Sequence, residues 1–290
     1  MKKRLLIKIT RETLPQVKER YPFIYLEHGR LEVDDSSVKW IDSECNVVRI
    51  PSAMVLTLLL GPGTAVTHEA MKVLGDSNVT VCWVGTDSLL YYAQGKSPNA
   101  DTRQLRKQVS IAMDAENALV VARRMFASRF PNQDISTKSI HELMGMEGIR
   151  VRALYETFAQ KYQVGWIGRS YVPGKFEMSD VTNKILTANN TALYSLILSE
   201  LHALGYSPYV GFVHTGSPLP FVYDLADLYK AEISIDLAFS LTKELGGEYD
   251  RNEVVDAFVE RVINTHMLER MPIDIENLFK GMKDAGGRCR

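Results

Sequence analysis

At Gly95-Lys96-Ser97-Pro98-Asn99-Ala100-Asp101 the hydrophobic pattern of this 290-residue chain changes its period. Upstream, short β-branched and aromatic runs alternate with polar turn clusters about every 8–10 residues, the signature of strands. Downstream, Leu105, Val109, Ala112, Ala115 and Leu119 recur at spacings of three and four, which is one face of a helix. A single layer type cannot satisfy both periods. The expected class is therefore α+β: a small, mostly-β N-terminal domain (1–95), a linker (96–101), and a larger all-α domain (102–290). The length agrees, at roughly 150 residues per domain.

Within the front part, Pro22–Glu27, Arg30–Val33, Val38–Ile41 and Val47–Ile50 read as strands of an antiparallel domain, with Asp34–Ser37 and Asp42–Glu44 as turns. Thr67 can cap a helix running to about Leu74, since its hydroxyl takes an orphan backbone N–H. Val79–Val84 and Leu89–Ala93 read as two further strands. Behind the linker, one long helix is expected from Asp101 or Thr102 to about Phe130, where Pro131 stops it. More helices are expected near 147–163, 179–204, 220–245, 250–268 and 273–284, with Gly205 and Gly246-Gly247 placed for C-terminal caps.

The apolar fraction is 46% and the charged fraction 24%, ordinary for a globular chain. The longest apolar stretches, near Ala53–Leu60 and Val79–Val84, fall well short of the roughly 18 residues a spanning helix needs, so no membrane association is expected. Lys8, Arg11 and Glu12 cut short the apolar run after Met1-Lys2-Lys3-Arg4, and no small-residue cleavage site follows. Cys45, Cys82 and Cys289 are scattered and odd in number, which suggests neither a disulfide framework nor a zinc site. Cys82, in an apolar run, reads as a small buried filler. A cytoplasmic protein is expected. The net charge is −1, but residues 101–184 hold 13 Lys/Arg against 9 Asp/Glu, and residues 222–256 hold 3 against 9. These imbalances are equally the marks of solvated helix faces.

No Walker loop, H-E-x-x-H, G-x-G-x-x-G or G-x-S-x-G occurs. Gly61-Pro62-Gly63-Thr64 lacks the context of a phosphate loop and reads as a turn. One stretch, Gly211 to Lys230, stands apart. His214 sits in a Gly/Pro-rich loop, and a helix then starts with Asp224 and Asp227 on one face, because positions i and i+3 are neighbours. If that face points inward, the two carboxylates repel unless a cation neutralises them. A nitrogen with carboxylate oxygens suits Mn²⁺, or Mg²⁺ with water retained. The bland alternative is two solvent-facing aspartates and a loop histidine bonded to backbone. Glu147, at a helix start between Gly145 and Gly148, is either a third ligand or a first-turn acid favoured by the helix dipole.

Three motifs then coincide: Gly-Met-Glu-Gly-Ile-Arg-Val-Arg-Ala at 145–153, Gly-Phe-Val-His-Thr-Gly at 211–216 and Phe-Val-Tyr-Asp-Leu-Ala-Asp-Leu-Tyr-Lys at 221–230. Together, in this order and spacing, they resemble the CRISPR adaptation integrase, the larger, catalytic protein of the spacer-acquisition complex, and most nearly its type I-E branch. The resemblance runs over nearly the whole chain, including Glu27-His28-Gly29-Arg30 and Gly61 to His68.

That resemblance implies a metal-dependent prokaryotic DNA integrase and endonuclease with an N-terminal β-rich dimerisation domain. On the matching positions, Glu147, His214 and Asp227 would bind Mg²⁺ or Mn²⁺, with Asp224 as an additional catalytic acid. The implied reaction joins protospacer 3′-hydroxyls to the leader-repeat. The implied partners are the protospacer duplex, the leader-repeat DNA, a second copy of the chain, and a small ferredoxin-like second adaptation protein completing a heterohexamer. Tyr171, Tyr194 and Tyr223 match aromatic positions near the site, where a tyrosine stacks on an unpaired base or fills a core. Lys72, Arg150, Arg152 and Lys230 are candidate phosphate contacts. Three departures stand out. His28 replaces a Tyr associated with splaying the duplex ends, Ser217 replaces a Lys of some relatives, and Arg290 ends the chain without their Pro-rich tail. Partner docking is then expected to use other surfaces, or an extension of the partner itself. The competing readings are a stand-alone metal-dependent nuclease and a non-catalytic DNA-binding scaffold.

Overall fold

The computed structural model describes residues 19–35, 37–85, 91–95, 102–170 and 179–282. By its contacts the chain divides into two compact units, Met1–Pro98 and Asn99–Arg290. The expected linker 96–101 lies outside the described residues. The class is as expected, strands first and helices after.

The first unit holds strands β1 (Tyr21–Leu26), β2 (Gly29–Asp34), β3 (Ser37–Asp42), β4 (Val47–Ile50), β5 (Val55–Leu60) and β6 (Thr64–Val66), helix α1 (His68–Asp76), then β7 (Thr80–Val84) and β8 (Tyr91–Gly95). They form two four-stranded sheets, ordered β1-β5-β7-β8 and β4-β3-β2-β6. The expected antiparallel domain is corrected in part. β1 pairs parallel with β5 and β5 with β7, while β2–β3, β3–β4 and β7–β8 are antiparallel and β2–β6 is parallel. The reason lies in β5, Val-Leu-Thr-Leu-Leu-Leu, every residue of which is buried. A continuous apolar run of this kind belongs in the middle of a covered, parallel sheet rather than on a half-wet hairpin. Leu31, Trp40, Leu58, Leu74 and Val81 form part of the core of this unit, and Cys82 is buried as expected. Thr67 caps α1 by accepting from the Ala70 N–H.

His28 and Gly63 meet at the β1–β2 and β5–β6 turns. His28 has φ 55° and Gly63 φ 72°, and the His28 N–H donates to the Pro62 carbonyl at 3.0 Å. A Cβ on Gly63 would stand 2.7 Å from His28 Nδ1. The glycine therefore supplies both the left-handed backbone and the room for the ring.

In the second unit the expected single helix to Phe130 is two, α2 (Arg103–Ala112) and α3 (Ala115–Ala127). Asp114 makes the break. Its carboxylate accepts from the Glu116 and Asn117 N–H groups, an N-cap that competes with helix continuation. Helix α4 (Ile140–Tyr162) starts a full two turns earlier than expected, because Ser139 and Glu142 form a capping box. Glu147 is thus in the helix interior, not in its first turn. Helix α5 (Val181–Leu204) is buried along most of its 24 residues and ends on Gly205 at φ 83°. Its buried hydroxyls back-bond one turn up the helix: Thr191 to Thr187, Ser195 to Thr191 and Ser199 to Ser195, at 2.9–3.1 Å. These hydroxyls are thereby satisfied inside the core.

Helix α6 (Pro220–Tyr229) passes through a π-turn (Lys230–Ile235) into α7 (Asp236–Glu244), and α8 (Arg251–Asn264) and α9 (Met267–Leu278) follow. The long 220–245 helix is therefore real but carries one wide turn, which begins at Lys230. Such turns recur at functional sites. Helices α6 and α7 pack on α5, and Phe239 of α7 meets the aromatic group of Tyr155, Phe158 and Trp166.

Candidate metal and DNA site

The site forms where three chain segments meet: α4, the segment after α3, and the loop–helix corner 211–230. Gln108 of α2 holds the approach to that corner. It is fully buried, donates to the carbonyls of Ser207 and Val210 at 2.9 and 2.7 Å, and accepts from the Ser207 N–H at 2.8 Å. One side-chain amide thus saturates a loop that would otherwise bury bare backbone groups.

Asp224 organises the corner. Its carboxylate accepts from the N–H groups of Phe212 (2.6 Å), Val213 (3.2 Å) and His214 (2.9 Å). It also lies 2.8 Å from His214 Nδ1, and its side chain is 0% exposed. Four donors leave no lone pair turned toward solvent. Gly211 is required for this approach, since a Cβ there would stand 2.6 Å from Pro220 Cβ and 2.9 Å from Asp224 Oδ2. An ionised Asp224 can only accept, so Nδ1 carries the proton and Nε2 keeps the lone pair. The hydrogen bond to Asp224 raises the His214 pKa above its ordinary value, and the charge of Asp227 adds to this.

Asp227 faces the other way. Its Oδ2 lies 3.6 Å from His214 Nε2 and 3.6 Å from Arg129 Nη1, and its Oδ1 lies 2.8 Å from Lys230 Nζ. Burial works to push its carboxyl up, but Lys230 and Arg129 hold it below the usual carboxylate range. Lys230 is raised in turn, because Asp227 outweighs its own desolvation. Glu147 is gripped by Arg150 in a two-toothed pair, Nε–Oε2 at 2.9 Å and Nη2–Oε1 at 2.8 Å. Arg129 Nη1 stands 3.1 Å from the same Oε1. Arg129 therefore bridges Glu147 and Asp227, and its side chain is only 5% exposed.

The structure thus brings Glu147, His214, Asp224, Asp227, Arg150 and Lys230 into one cluster. Tyr223 packs edge-on against Tyr194 at 5.0 Å between ring centroids and near His214 at 6.3 Å, while Lys230 Nζ lies 5.1 Å over the Tyr194 ring. Arg152 is not gathered in. It is exposed, and five residues on from Glu147 it points roughly 140° around α4. Lys72 and His28 are exposed on the first unit, and Tyr171 lies outside the described residues. Sequence reasoning missed Arg129 and Gln108. A cation at the end of a helix reads as a dipole partner, and a lone glutamine in an amphipathic helix gives no signal at all.

Among the described residues, no three His, Cys, Asp or Glu side chains are already gathered to hold a metal ion. The place between Glu147 and Asp227 is taken by the Arg129 guanidinium. Two carboxylates and one imidazole nitrogen are nonetheless a donor set for Mg²⁺ or Mn²⁺, and a buried positive charge already stands among them. The residues fit a divalent cation on that ground. No described helix is long and apolar enough to cross a membrane.

A family model described as CRISPR associated protein Cas1 matches residues 133–248, which contain Glu147, His214, Asp224, Asp227 and Lys230. A relative from Chlorobaculum tepidum, named CRISPR-associated endonuclease Cas1 2, is 60% identical over 276 residues, 95% of this chain and 93% of its own length. A solved structure of TtCas1 is 33% identical with a TM-score of 0.80, over 91% of this chain and 99% of that one. A TtCas1–DNA complex is 35% identical with a TM-score of 0.65, over 93% of this chain and 100% of that one. The chain belongs to the Cas1 family of CRISPR-associated endonucleases.

Proposed function

We propose that this protein is a metal-dependent DNA integrase of CRISPR spacer acquisition, joining protospacer 3′-hydroxyl ends to the leader-repeat by transesterification, with an associated endonuclease activity. The observation that carries the reading is the meeting of Glu147 and Asp227 at one buried positive charge, with His214 Nε2 beside Asp227. The relatives' name as endonucleases and the DNA complex of TtCas1 support it.

Glu147, His214 through Nε2, and Asp227 would hold Mg²⁺ or Mn²⁺. Bound there, the cation would polarise the phosphodiester and stabilise charge on the attacking and leaving oxygens. The chain's own groups supply the rest. Asp224 fixes the tautomer and aim of His214, as second partners of ligating histidines do. It is a positioning residue here rather than a group that touches DNA. Lys230 and Arg150 present cations at the rim for phosphate, and fixed cations gain affinity by releasing condensed counterions. Tyr194 and Tyr223 offer aromatic edges for an unpaired base. Lys72, Arg152, His28 and Tyr171 are proposed DNA contacts on the motif resemblance alone.

The same resemblance supports the remaining proposals: the type I-E branch, a cytoplasmic location, and a homodimer through the β-rich domain bridged by a small ferredoxin-like partner in a heterohexamer. The division 1–95, 96–101 and 102–290 is proposed on the change of periodicity.

The test is strand transfer. A labelled protospacer duplex and a supercoiled leader-repeat plasmid are incubated with the protein, in Mn²⁺ or chelator, with and without the small partner. Joined product is expected with Mn²⁺ only, and it disappears in Glu147→Ala, His214→Ala and Asp227→Ala. Full integration by any of the three would sink the ligand assignment. Cleavage without joining under every condition would favour a nuclease.

A further inference from the structure

We infer that Arg129 is an internal counter-ion that occupies the divalent-metal place and must be displaced for the metal to bind. The inference deepens the metal reading above and rests on it.

The contacts of Arg129 are unusual for an arginine. Guanidinium–carboxylate pairs favour a two-toothed fork, because the planar donors match the two oxygens. Glu147 makes that fork with Arg150. Arg129 makes none. Its Nη1 is 3.1 Å from Glu147 Oε1 and 3.6 Å from Asp227 Oδ2, yet it has no aligned hydrogen-bond acceptor among the described residues. The group acts there as a point charge without directional bonds, which is how a small cation would act.

What anchors Arg129 lies outside the site. Its Nε donates to the Met125 carbonyl at 3.1 Å, and its guanidinium carbon stands 4.3 Å over the Phe126 ring. The stem and plane are therefore held by α3, while only the tip reaches the carboxylates. Moving the tip aside breaks no aligned hydrogen bond at Nη1. A charge on this tip offsets the repulsion between the Glu147 and Asp227 carboxylates in the metal-free protein. The same charge opposes a divalent cation arriving at the same oxygens. Lys230 and Arg150 do not share this position. Each grips one carboxylate only, Lys230 Asp227 and Arg150 Glu147, whereas Arg129 alone among the described residues contacts both.

The experiment is Mn²⁺ binding, read by the loss of the free-ion resonance signal and by thermal shift, without DNA or turnover. Wild type, Arg129→Met, Arg129→Lys and Asp227→Asn are titrated with the metal alone. Arg129→Met keeps a long stem for Phe126 and removes the charge. It is expected to bind Mn²⁺ about tenfold more tightly, from the loss of one unit charge at close range. It is also expected to melt lower than wild type in chelator and to gain more from Mn²⁺. Arg129→Lys, which keeps the charge, is expected to stay near wild type. Should Arg129→Met fail to fold, Arg129→Gln carries the same comparison. If wild type binds Mn²⁺, Asp227→Asn does not, and the uncharged variants bind no more tightly than wild type, the counter-ion inference is overturned and the metal reading stands. If neither wild type nor the uncharged variants bind, both fall.

Discussion

Asp224 and Asp227 sit three residues apart on one helix, yet they end in opposite environments. Asp224 is sealed in by three backbone N–H groups and His214 Nδ1. Asp227 looks across the cleft at side chains only: His214, Lys230 and Arg129. Backbone donors are fixed by the fold and cannot be exchanged, so the Asp224 end is scaffold. Side-chain cations on long stems can move, so the Asp227 end can trade one positive charge for another. Under the proposed function, in which the site takes up and releases a metal and a phosphate, it would need both, a rigid corner to aim the imidazole and a cleft whose charges are replaceable.

The largest effect on stability is expected at the sealed end. Asp224→Ala leaves three buried N–H groups and an imidazole without their acceptor, which should cost about 3–5 kcal/mol, as for breaking a buried charged network. Urea unfolding measures it, and a loss below about 1 kcal/mol would place the carboxylate in ordinary surface territory. Gly211→Ala attacks the same cradle from the loop side. The added methyl meets Pro220 and Asp224 Oδ2 inside contact distance, so a cost of about 1–3 kcal/mol is expected, the range for overpacking. Strand transfer should fall with it, because the loop carries His214.

A third carboxyl sharpens the comparison by lacking what Asp224 has. Glu200, on the buried face of α5, is 0% exposed, and neither of its oxygens has a hydrogen-bond partner among the described residues. Burial pushes its carboxyl up to about 8. Its folded pKa then lies above the unfolded value of about 4.3, so the folded state holds the proton more tightly. Stability from this group is complete below about pH 4.3 and is lost as the pH rises toward the folded value. Glu200→Gln removes the dependence. The variant should match wild type near pH 4.5 and exceed it increasingly as the pH rises to 8. Equal differences in melting temperature at both pH values would show that Glu200 finds a partner.

How much of this was legible in the sequence follows from the same contrast. Strand and helix regimes showed in the periodicity, and Thr67 and Gly205 showed as caps, because each is a local preference. The parallel pairing around β5 did not show, since sheet direction is decided by which segments cover a buried run, and that is tertiary. Glu147, His214 and Asp227 were placed by motif and resemblance, and in the structure Arg129 links Glu147 to Asp227, which faces His214. The break at Asp114 and the early start of α4 at Ser139 were local signals read past, two caps hidden inside longer apolar patterns. Gln108 and Arg129 were not legible at all. Their meaning depends on segments about a hundred residues away, Ser207 and Val210 for one and Asp227 for the other.

The smallest effect on stability is expected at Asp227, although its effect on function should be complete. Asp227→Asn removes a charge that two cations face, Arg129 and Lys230, and the one most directly orphaned is Lys230. That ammonium keeps 26% of its side-chain exposure and can turn toward water, so the loss is set below the about 3–5 kcal/mol of breaking a fully buried pair. Arg129 retains Glu147 as a partner. The variant should therefore unfold closer to wild type than Asp224→Ala does, in chelator. In Mn²⁺ the two should separate, because a ligand that binds only the native state stabilises it by mass action, about 1.4 kcal/mol at ten times its dissociation constant. Wild type should gain that increment and Asp227→Asn should not. If the variant instead collapses as Asp224→Ala does, the cleft end is as much scaffold as the corner, and the charges across it are not exchangeable.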